Sequence, residues 1–253
     1  MATKSSIEWT EMTWNPVTGC TKVSQGCKNC YAERMAKRLQ GMGVWQYRDG
    51  FKVTLAPQVL AQPLSWKRPR FVFVNSMSDL FHEQVPIGYI QQAFEIMKST
   101  PEHTYQILTK RSERLVALSR ELEWPGNVWM GVSVENQQTT FRVRHLLRSG
   151  AKTKFLSVEP LIGPTGKLPL NGIDWVIVGG ESGPRARPMK KGWIHAIRSQ
   201  CEQCSIPFFF KQWGKPEFNE DSTDPTIDKS HPLHAKGGCQ LDGGVFRELP
   251  QRT

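Results

Sequence analysis

Three of the six cysteines lie close together near the start of this 253-residue chain. Cys20, Cys27 and Cys30 are spaced C-x6-C-x2-C, and a glycine directly precedes each of the first two. Two thiolates separated by two residues can bind one metal centre, and a loop punctuated by glycines can bring the third thiolate onto it. A helical pattern begins at Tyr31, which places Cys30 at a helix N-terminus, where the helix dipole stabilises an anionic ligand. These cysteines therefore indicate a metal centre.

The number of cysteines distinguishes between kinds of metal centre. Structural zinc takes four protein ligands, and no fourth ligand stands out beside this motif. Three cysteines suit a four-iron, four-sulfur (4Fe–4S) cluster in which one iron stays open for an exchangeable ligand. The count favours the iron–sulfur cluster, with structural zinc and three thiols without a metal as the alternatives.

Positive charge is concentrated in the same part of the chain. Lys and Arg number 33 against 23 Asp and Glu, a net charge of +10, and residues 1–70 hold 11 of the cationic side chains with four acidic ones. The segment also contains Trp45, Tyr47 and Trp66. Because cations bind phosphates and aromatic rings stack on bases, this composition is typical of a surface for DNA or RNA. A solvated positive face that only maintains solubility is the alternative.

Composition excludes several classes of protein. Apolar residues make up 38% and charged residues 22%, which excludes a disordered polyelectrolyte and a fibrous protein. Residues 1–14 lack the apolar core of a signal peptide, and no stretch reaches the roughly 18 apolar residues of a membrane span. The cysteines are not distributed as in a secreted disulfide scaffold. We therefore expect a cytoplasmic protein with no membrane partner.

From residue 71 onward, short apolar runs alternate with amphipathic segments. The predicted strands span residues 71–75, 105–109, 128–134, 154–158, 175–178 and 207–210. The predicted helices span residues 87–99, 112–121, 137–148 and 191–204. Uniformly apolar strands that alternate with helices form a buried parallel sheet. The pattern predicts an α/β fold with a partial or complete parallel (β/α) barrel over residues 1–214. A loop and a short capping element follow over residues 215–253.

Residues able to bind a ligand follow each predicted strand. They are Asn75, Ser76, Ser78 and Asp79, then Lys110, Ser133, Glu135, Glu159, Gly180, Glu181, Lys211 and Trp213. In a parallel barrel these positions converge at the C-terminal mouth, where ligands bind. Each polar residue has an alternative role in capping a strand end or in an ion pair, and Gly180 an alternative role in a turn. The pattern predicts a binding site lined by several strands.

A second cysteine pair repeats the two-residue spacing. Cys201 and Cys204 fall on one predicted helical face with Trp193 and Ile197, which is typical of a face packed on the core. Core packing is therefore favoured over a second metal site that would include Cys239.

Seven short motifs, in this order along the chain, resemble a known family. They span residues 19–33, 73–82, 108–111, 131–135, 157–161, 178–184 and 208–214. Together they resemble the phage and bacterial three-Cys-motif family, known mainly as a domain of unknown function. That family is similar to radical S-adenosylmethionine (SAM) proteins and, more distantly, to spore photoproduct lyase. The resemblance covers about residues 7–214.

The resemblance implies a radical SAM enzyme with a barrel of that type. Cys20, Cys27 and Cys30 would hold a 4Fe–4S cluster whose open iron binds SAM. An electron from a donor such as flavodoxin or ferredoxin would then release a 5′-deoxyadenosyl radical. The first gap of six residues differs from the three that are usual in that superfamily.

The resemblance also implies cofactor contacts at the strand ends. A Gly-Gly-Glu segment usually binds the SAM amino group, and by position Asn75, Ser76, Ser78 and Asp79 replace it here. Asp79 is the expected partner of the ammonium group. Ser133, Glu135 and Glu159 are expected at the ribose hydroxyls or the ammonium, and Lys110 at the carboxylate. Gly180, Glu181, Lys211 and Trp213 are the expected substrate contacts.

The basic N-terminal segment and the resemblance together predict the substrate class. We expect radical chemistry on a nucleobase in DNA or RNA, in repair or modification. One alternative is a non-catalytic nucleic-acid-binding protein stabilised by a metal. Another is a radical SAM enzyme that acts on a small metabolite or a peptide. The sequence leaves the oligomeric state open.

Overall fold

The computed structural model describes residues 3–5, 7–221 and 223–250. Contacts between Cα atoms divide the chain into two compact units. The first unit takes its residues from 1–24, 30–132 and 148–153, and the second from 25–29, 133–147 and 154–253. The described residues on both sides of position 214 belong to the second unit. The predicted domain boundary at residue 214 stays a prediction.

The first unit is built on parallel strands. Its strands are β1 (Thr3–Lys4), β2 (Met12–Trp14), β3 (Val17–Thr18), β4 (Thr54–Leu55), β5 (Phe71–Val74), β6 (Thr104–Thr109) and β7 (Val128–Ser133). β2, β5, β6 and β7 pair in parallel in that order, while β1 adds to β2 antiparallel. β3 and β4 form a separate antiparallel pair. Every residue of β7 is buried, as expected for a strand covered on both faces.

Helices of the first unit bury apolar faces. They are α1 (Tyr31–Gly41), α2 (Pro57–Leu60), α3 (Ile87–Lys98) and α4 (Ser112–Leu118). In α3 the buried residues recur at helical spacing and form one apolar stripe. They are Tyr89, Ile90, Ala93, Phe94 and Met97. Burial of this stripe holds α3 in place.

The second unit contains three further parallel strands. Its elements are α5 (Phe141–Leu147), β8 (Thr153–Val158), β9 (Trp175–Gly179), α6 (Lys191–Gln203), β10 (Phe208–Gln212), β11 (Gln240–Leu241) and β12 (Gly244–Val245). β8 and β10 both pair in parallel with β9, whose five residues are buried. β11 and β12 form an antiparallel pair. The alternation of strand and helix confirms the predicted α/β class.

The predicted elements are present within a few residues of their expected bounds. The segment 137–148 differs, because a short 3-10 helix (Gln137–Thr139) precedes α5. β2 was not predicted, since three residues are too few to show a period. It nevertheless lies beside β5 in parallel and leads into the cysteine loop. In the described part of the chain, no helix is long and apolar enough to cross a membrane.

The second cysteine pair divides between core and surface. Cys201 is buried in α6, and burial raises the pKa of its thiol to about 12. Cys204 is exposed, so the prediction that both pack on the core is wrong for this residue. Cys204 is the C-cap of α6, just beyond its last helical residue, so it does not continue the helical face of Cys201.

Candidate cluster site

Residues 20–30, here called the cysteine loop, carry the three clustered cysteines. Cys20, Cys27 and Cys30 are half-buried thiols. Cys27 ends a 3-10 turn, and Cys30 is the N-cap of α1 without a side-chain capping hydrogen bond. The predicted position of Cys30 at a helix N-terminus is therefore confirmed. Residues 25–29 of the loop belong to the second unit and its other residues to the first.

Arg111 holds the start of the cysteine loop in the first unit. It follows β6, and its side chain is 3% exposed. Its Nη1 lies 3.3 Å from Cys20 Sγ, and its Nη2 donates to the carbonyl oxygen of Thr21 at 3.0 Å. A buried cation thus contacts a predicted cluster ligand directly.

Asp79 is the anion that faces this cation. Its Oδ2 accepts hydrogen bonds from Arg111 Nη1 at 3.2 Å and from the amide of Lys110 at 3.1 Å. Its Oδ1 accepts from Thr109 Oγ1 at 2.7 Å and from the amide of Phe81 at 3.0 Å. The carboxylate expected to bind the SAM ammonium therefore already has two donors on each oxygen. Its role at SAM stays a prediction.

Asn75 occupies the turn directly after β5. Its φ of +60° lies in the left-handed region, which Asn tolerates better than most residues. Asn75 Oδ1 accepts from the amide of Val17 at 3.2 Å, which fixes the orientation of the amide group. Asn75 Nδ2 is buried and has no hydrogen-bond partner among the described residues. A buried donor of this kind is stabilised by any acceptor that a ligand supplies.

The two serines of the same turn bind the chain before the cysteine loop. Ser76 Oγ donates to Asn15 Oδ1 at 3.1 Å, and Ser78 Oγ donates to the carbonyl oxygen of Val17 at 2.7 Å. Tyr31, the first residue of α1, donates its hydroxyl to the carbonyl oxygen of Ser76. The turn thus positions both the approach to the loop and the helix that follows it.

Glu135 holds the middle of the loop in the second unit. Its carboxylate is fully buried beyond the end of β7 and accepts from the amide of Gly26 at 3.0 Å. A Cβ at Gly26 would lie 2.4 Å from Glu135 Cδ, so this contact requires glycine there. Arg142 Nη1 lies 3.4 Å from Glu135 Oε1 and 2.9 Å from the carbonyl oxygen of Ser133. A buried ion pair therefore supports the residue next to Cys27.

Glu181 makes a second anchor in the same unit. It accepts from Asn29 Nδ2 at 3.1 Å and from Arg187 Nε at 2.8 Å. Burial by itself would raise the pKa of this carboxyl, but the hydrogen bonds from Arg187 and Asn29 outweigh burial and lower the pKa. Arg187 Nη2 also donates to the carbonyl oxygen of Gln25 at 3.0 Å. Glu181 and its partner Arg187 thus bind residues on both sides of Cys27.

The remaining predicted residues of the second unit lie at the ends of β8, β9 and β10. Lys211 Nζ is 2.7 Å from Glu159 Oε1, in a pair that is mostly shielded from solvent. A Cβ at Gly180 would lie 2.0 Å from the carbonyl oxygen of Trp213, so glycine here permits a close approach of two backbones. The Trp213 ring is buried, and its Nε1 donates to the carbonyl oxygen of Gln240 at 2.9 Å.

Sequence reasoning missed the cations and the amide that complete these anchors. They are Arg111, Arg142, Arg187 and Asn29. Arg111 stands beside the predicted Lys110, and only the fold shows which of the two turns toward the loop. In the described part of the chain, no group of three or more His, Cys, Asp or Glu side chains is arranged to hold a metal ion. By chemistry, three thiols on one loop are nevertheless a suitable donor set for an iron–sulfur cluster.

Comparison with protein families identifies the family to which the chain belongs. Residues 4–250 match the family described as "Protein of unknown function (DUF5131)". The chain belongs to this family. The match covers nearly the whole sequence, both units included. Among curated proteins, none matches the DUF5131 chain.

Solved structures of spore photoproduct lyase share its fold. A cysteine-to-alanine variant with bound dinucleoside spore photoproduct has a TM-score of 0.50 and 13% identity, over 80% of this chain and 64% of the lyase. The same kind of variant without that ligand has a TM-score of 0.50 and 13% identity, over 84% and 59%. A third structure, with bound AdoMet and the dinucleoside, has a TM-score of 0.48 and 11% identity, over 80% and 64%.

These likenesses concern the fold. They confirm the predicted α/β fold and its resemblance to the fold of spore photoproduct lyase. The DUF5131 chain spans about three fifths of the length of the lyase chains that it matches.

Proposed function

We propose that this DUF5131 protein is a radical SAM enzyme whose cysteine loop holds a 4Fe–4S cluster. The observation that carries the proposal is the way the loop is held. Arg111 binds its first residues in the first unit, and Glu135 and Glu181 bind Gly26 and Asn29 in the second. Charged residues at strand ends thus fix a short loop that carries three half-buried thiols.

The chemistry supplied by a bound cluster is one-electron reduction of SAM, which releases a 5′-deoxyadenosyl radical. The chain's own residues then have binding and orienting roles. Asn75 Nδ2, a buried donor at the end of β5, is suited to an acceptor on the cofactor. Ser76, Ser78, Asp79, Lys110, Ser133, Glu135 and Glu159 remain proposed at the cofactor, and Gly180, Glu181, Lys211 and Trp213 at the substrate. The Glu159–Lys211 ion pair, whose side chains are 19% and 14% exposed, would help to keep water away from a ligand at these strand ends.

The proposal is tested by anaerobic reconstitution with iron and sulfide. The reconstituted protein, given SAM and a strong reductant, should release 5′-deoxyadenosine and methionine, measured by chromatography and mass spectrometry. Protein that takes up zinc alone and leaves SAM intact would contradict the proposal. Binding of nucleic acid by such zinc protein would instead support a non-catalytic binding protein.

The exposed face of α1 supports a nucleic-acid substrate. Ala32 and Ala36 are buried, while Tyr31, Met35 and the following Trp45 are 41–48% exposed. The cations of this surface are Arg34, Lys37, Arg38 and Arg48, all exposed. We call these seven exposed residues the α1 surface. Rings that stack on bases, set among cations that bind phosphates, are characteristic of single-strand binding. The dinucleoside bound by one lyase structure with this fold is consistent with such a substrate.

Replacing Trp45 with alanine tests the α1 surface. One lost stacking contact, worth about 1–3 kcal/mol, should weaken binding of single-stranded DNA or RNA by about 5- to 150-fold. Arg38→Gln should also reduce the slope of log K against log salt by about 0.7. Fluorescence anisotropy over a range of salt concentrations measures both effects.

The matched control is Phe141→Ala, which removes a ring that is 44% exposed at the start of α5. It should leave the affinity unchanged. Equal effects of Trp45→Ala and Phe141→Ala would contradict a specific α1 surface. If the intact protein binds neither nucleic acid at physiological salt, a small metabolite or a peptide becomes the favoured substrate.

A further inference from the structure

We propose that Arg111 is a positioning residue for Cys20 and raises the reduction potential of the cluster that this cysteine would bind. The inference rests on the proposed function, since it concerns one ligand of that cluster. It adds a residue outside the cysteine motif that acts through hydrogen bonds and charge.

The guanidinium of Arg111 is held on two edges. Its Nε donates to both carboxylate oxygens of Glu83, at 3.0 and 2.9 Å, and its Nη1 donates to Asp79 Oδ2 at 3.2 Å. On the loop side, Nη1 reaches Cys20 Sγ at 3.3 Å, and Nη2 binds both the carbonyl oxygen and the hydroxyl of Thr21 at 3.0 and 2.9 Å. The planar fork therefore has directed contacts on both sides, which the single ammonium of lysine would not reproduce.

The anionic side of this arrangement is itself fixed. Asp79 is bound by Thr109 Oγ1 and by the amide of Lys110, both at the carboxyl end of β6. Thr109 Oγ1 also accepts from the amide of Arg111 at 2.9 Å. The end of β6 thus sets the position of the guanidinium, and the guanidinium sets the position of Cys20.

Charge gives this contact an electronic consequence. Hydrogen bonds to cluster sulfurs and nearby positive charge are among the factors that set iron–sulfur reduction potentials. Each electron added to a cluster makes it more negative, so a buried cation beside a ligand thiolate stabilises the reduced state. Arg111 therefore makes the cluster easier to reduce. A residue that only supported the backbone would have no such effect.

Two substitutions separate positioning from charge. Arg111→Gln removes the charge, and Arg111→Lys keeps the charge but loses the fork. The control is Arg114→Gln, one turn along α4, because Arg114 donates to the backbone carbonyl oxygens of Phe81 and Val85. Hydrogen–deuterium exchange of the metal-free protein measures how well the amides of the loop are protected. A redox titration followed by electron paramagnetic resonance measures the midpoint potential of the cluster.

In the metal-free protein, Arg111→Gln and Arg111→Lys should both exchange the amides of Gly19 and Cys20 at least tenfold faster than the unmodified protein. Arg114→Gln should not. After reconstitution, the midpoint potential should fall in Arg111→Gln and change less in Arg111→Lys. Both variants should contain less iron per chain than the Arg114→Gln control.

Unchanged loop exchange in both Arg111 variants would overturn the positioning role. An unchanged midpoint potential in Arg111→Gln with a full cluster would overturn the electronic role. If Arg111→Gln does not fold, Arg111→Lys alone must still show faster loop exchange, or the positioning role is rejected. If the unmodified protein takes up no iron, the proposed function fails and the electronic role with it, whereas the exchange result still decides whether Arg111 positions the loop.

Discussion

Single replacement of Cys20, Cys27 or Cys30 by alanine should reduce cluster content from about four iron and four sulfide per chain to nearly none. Three protein thiolates would leave one iron of a bound cluster open, so loss of one thiolate would leave a second iron without a protein ligand. SAM cleavage should be lost with the cluster. Iron and sulfide analysis after anaerobic reconstitution measures the first effect, and release of 5′-deoxyadenosine measures the second.

The chain offers a matched control for the loss of one thiol. Cys204 is exposed at the end of α6, outside the cysteine loop, and Cys204→Ala should keep full cluster content. Full iron and sulfide content in any of the three cysteine-loop variants would rule that cysteine out as a ligand. Equal loss in the Cys204 variant would point to iron held non-specifically by surface thiols.

Replacement of Glu135 by alanine should produce the largest loss of stability, about 3–5 kcal/mol in the free energy of unfolding. The side chains of Glu135 and Arg142 are 0% and 4% exposed, so the substitution leaves a buried guanidinium without its carboxylate. The amide of Gly26 also loses its acceptor. Urea denaturation of the metal-free protein measures the change, and hydrogen exchange of residues 25–29 should increase with it.

An exposed ion pair provides the comparison for this prediction. Glu202 pairs with Arg198 along α6 with its side chain 58% exposed, and Glu202→Ala should change stability by only about 0.5 kcal/mol. The double variant Glu135→Leu with Arg142→Met removes both buried charges and should recover much of the loss. A loss for Glu135→Ala as small as that for Glu202→Ala would mean that the pair contributes little to stability.

Much of the fold could be predicted because its signals are local. β7 was predicted from a uniformly apolar run, and α3 from an apolar stripe at helical spacing. Each signal lies within about a dozen residues, and both elements are present in the structure. β2 escaped prediction because three residues carry no period, and its place beside β5 depends on a pairing partner about 60 residues away. Cys204 was assigned to the core because helical spacing does not show where α6 ends.

The sequence predicted which residues lie at the strand ends better than it predicted their hydrogen-bond partners. Glu135 and Glu181 were expected at a cofactor or a substrate, which stays a prediction, and their hydrogen bonds to the cysteine loop were not foreseen. Asp79 was expected at the SAM ammonium, and its oxygens are bound by four protein donors. Isolated carboxylates in a sequence carry no information about which donor reaches them.

By itself, the sequence determined the order of strands and helices, the three cysteines in one loop, and membership of the DUF5131 family. These depend on residue types and spacings over short distances along the chain. Only the tertiary structure decided which charges hold the loop, since Gly26 and Glu135 are 109 residues apart and Asn29 and Glu181 are 152 apart. Such pairs form because folding removes both partners from water, and a buried charge is stable only beside the donor or counter-charge that the fold brings to it.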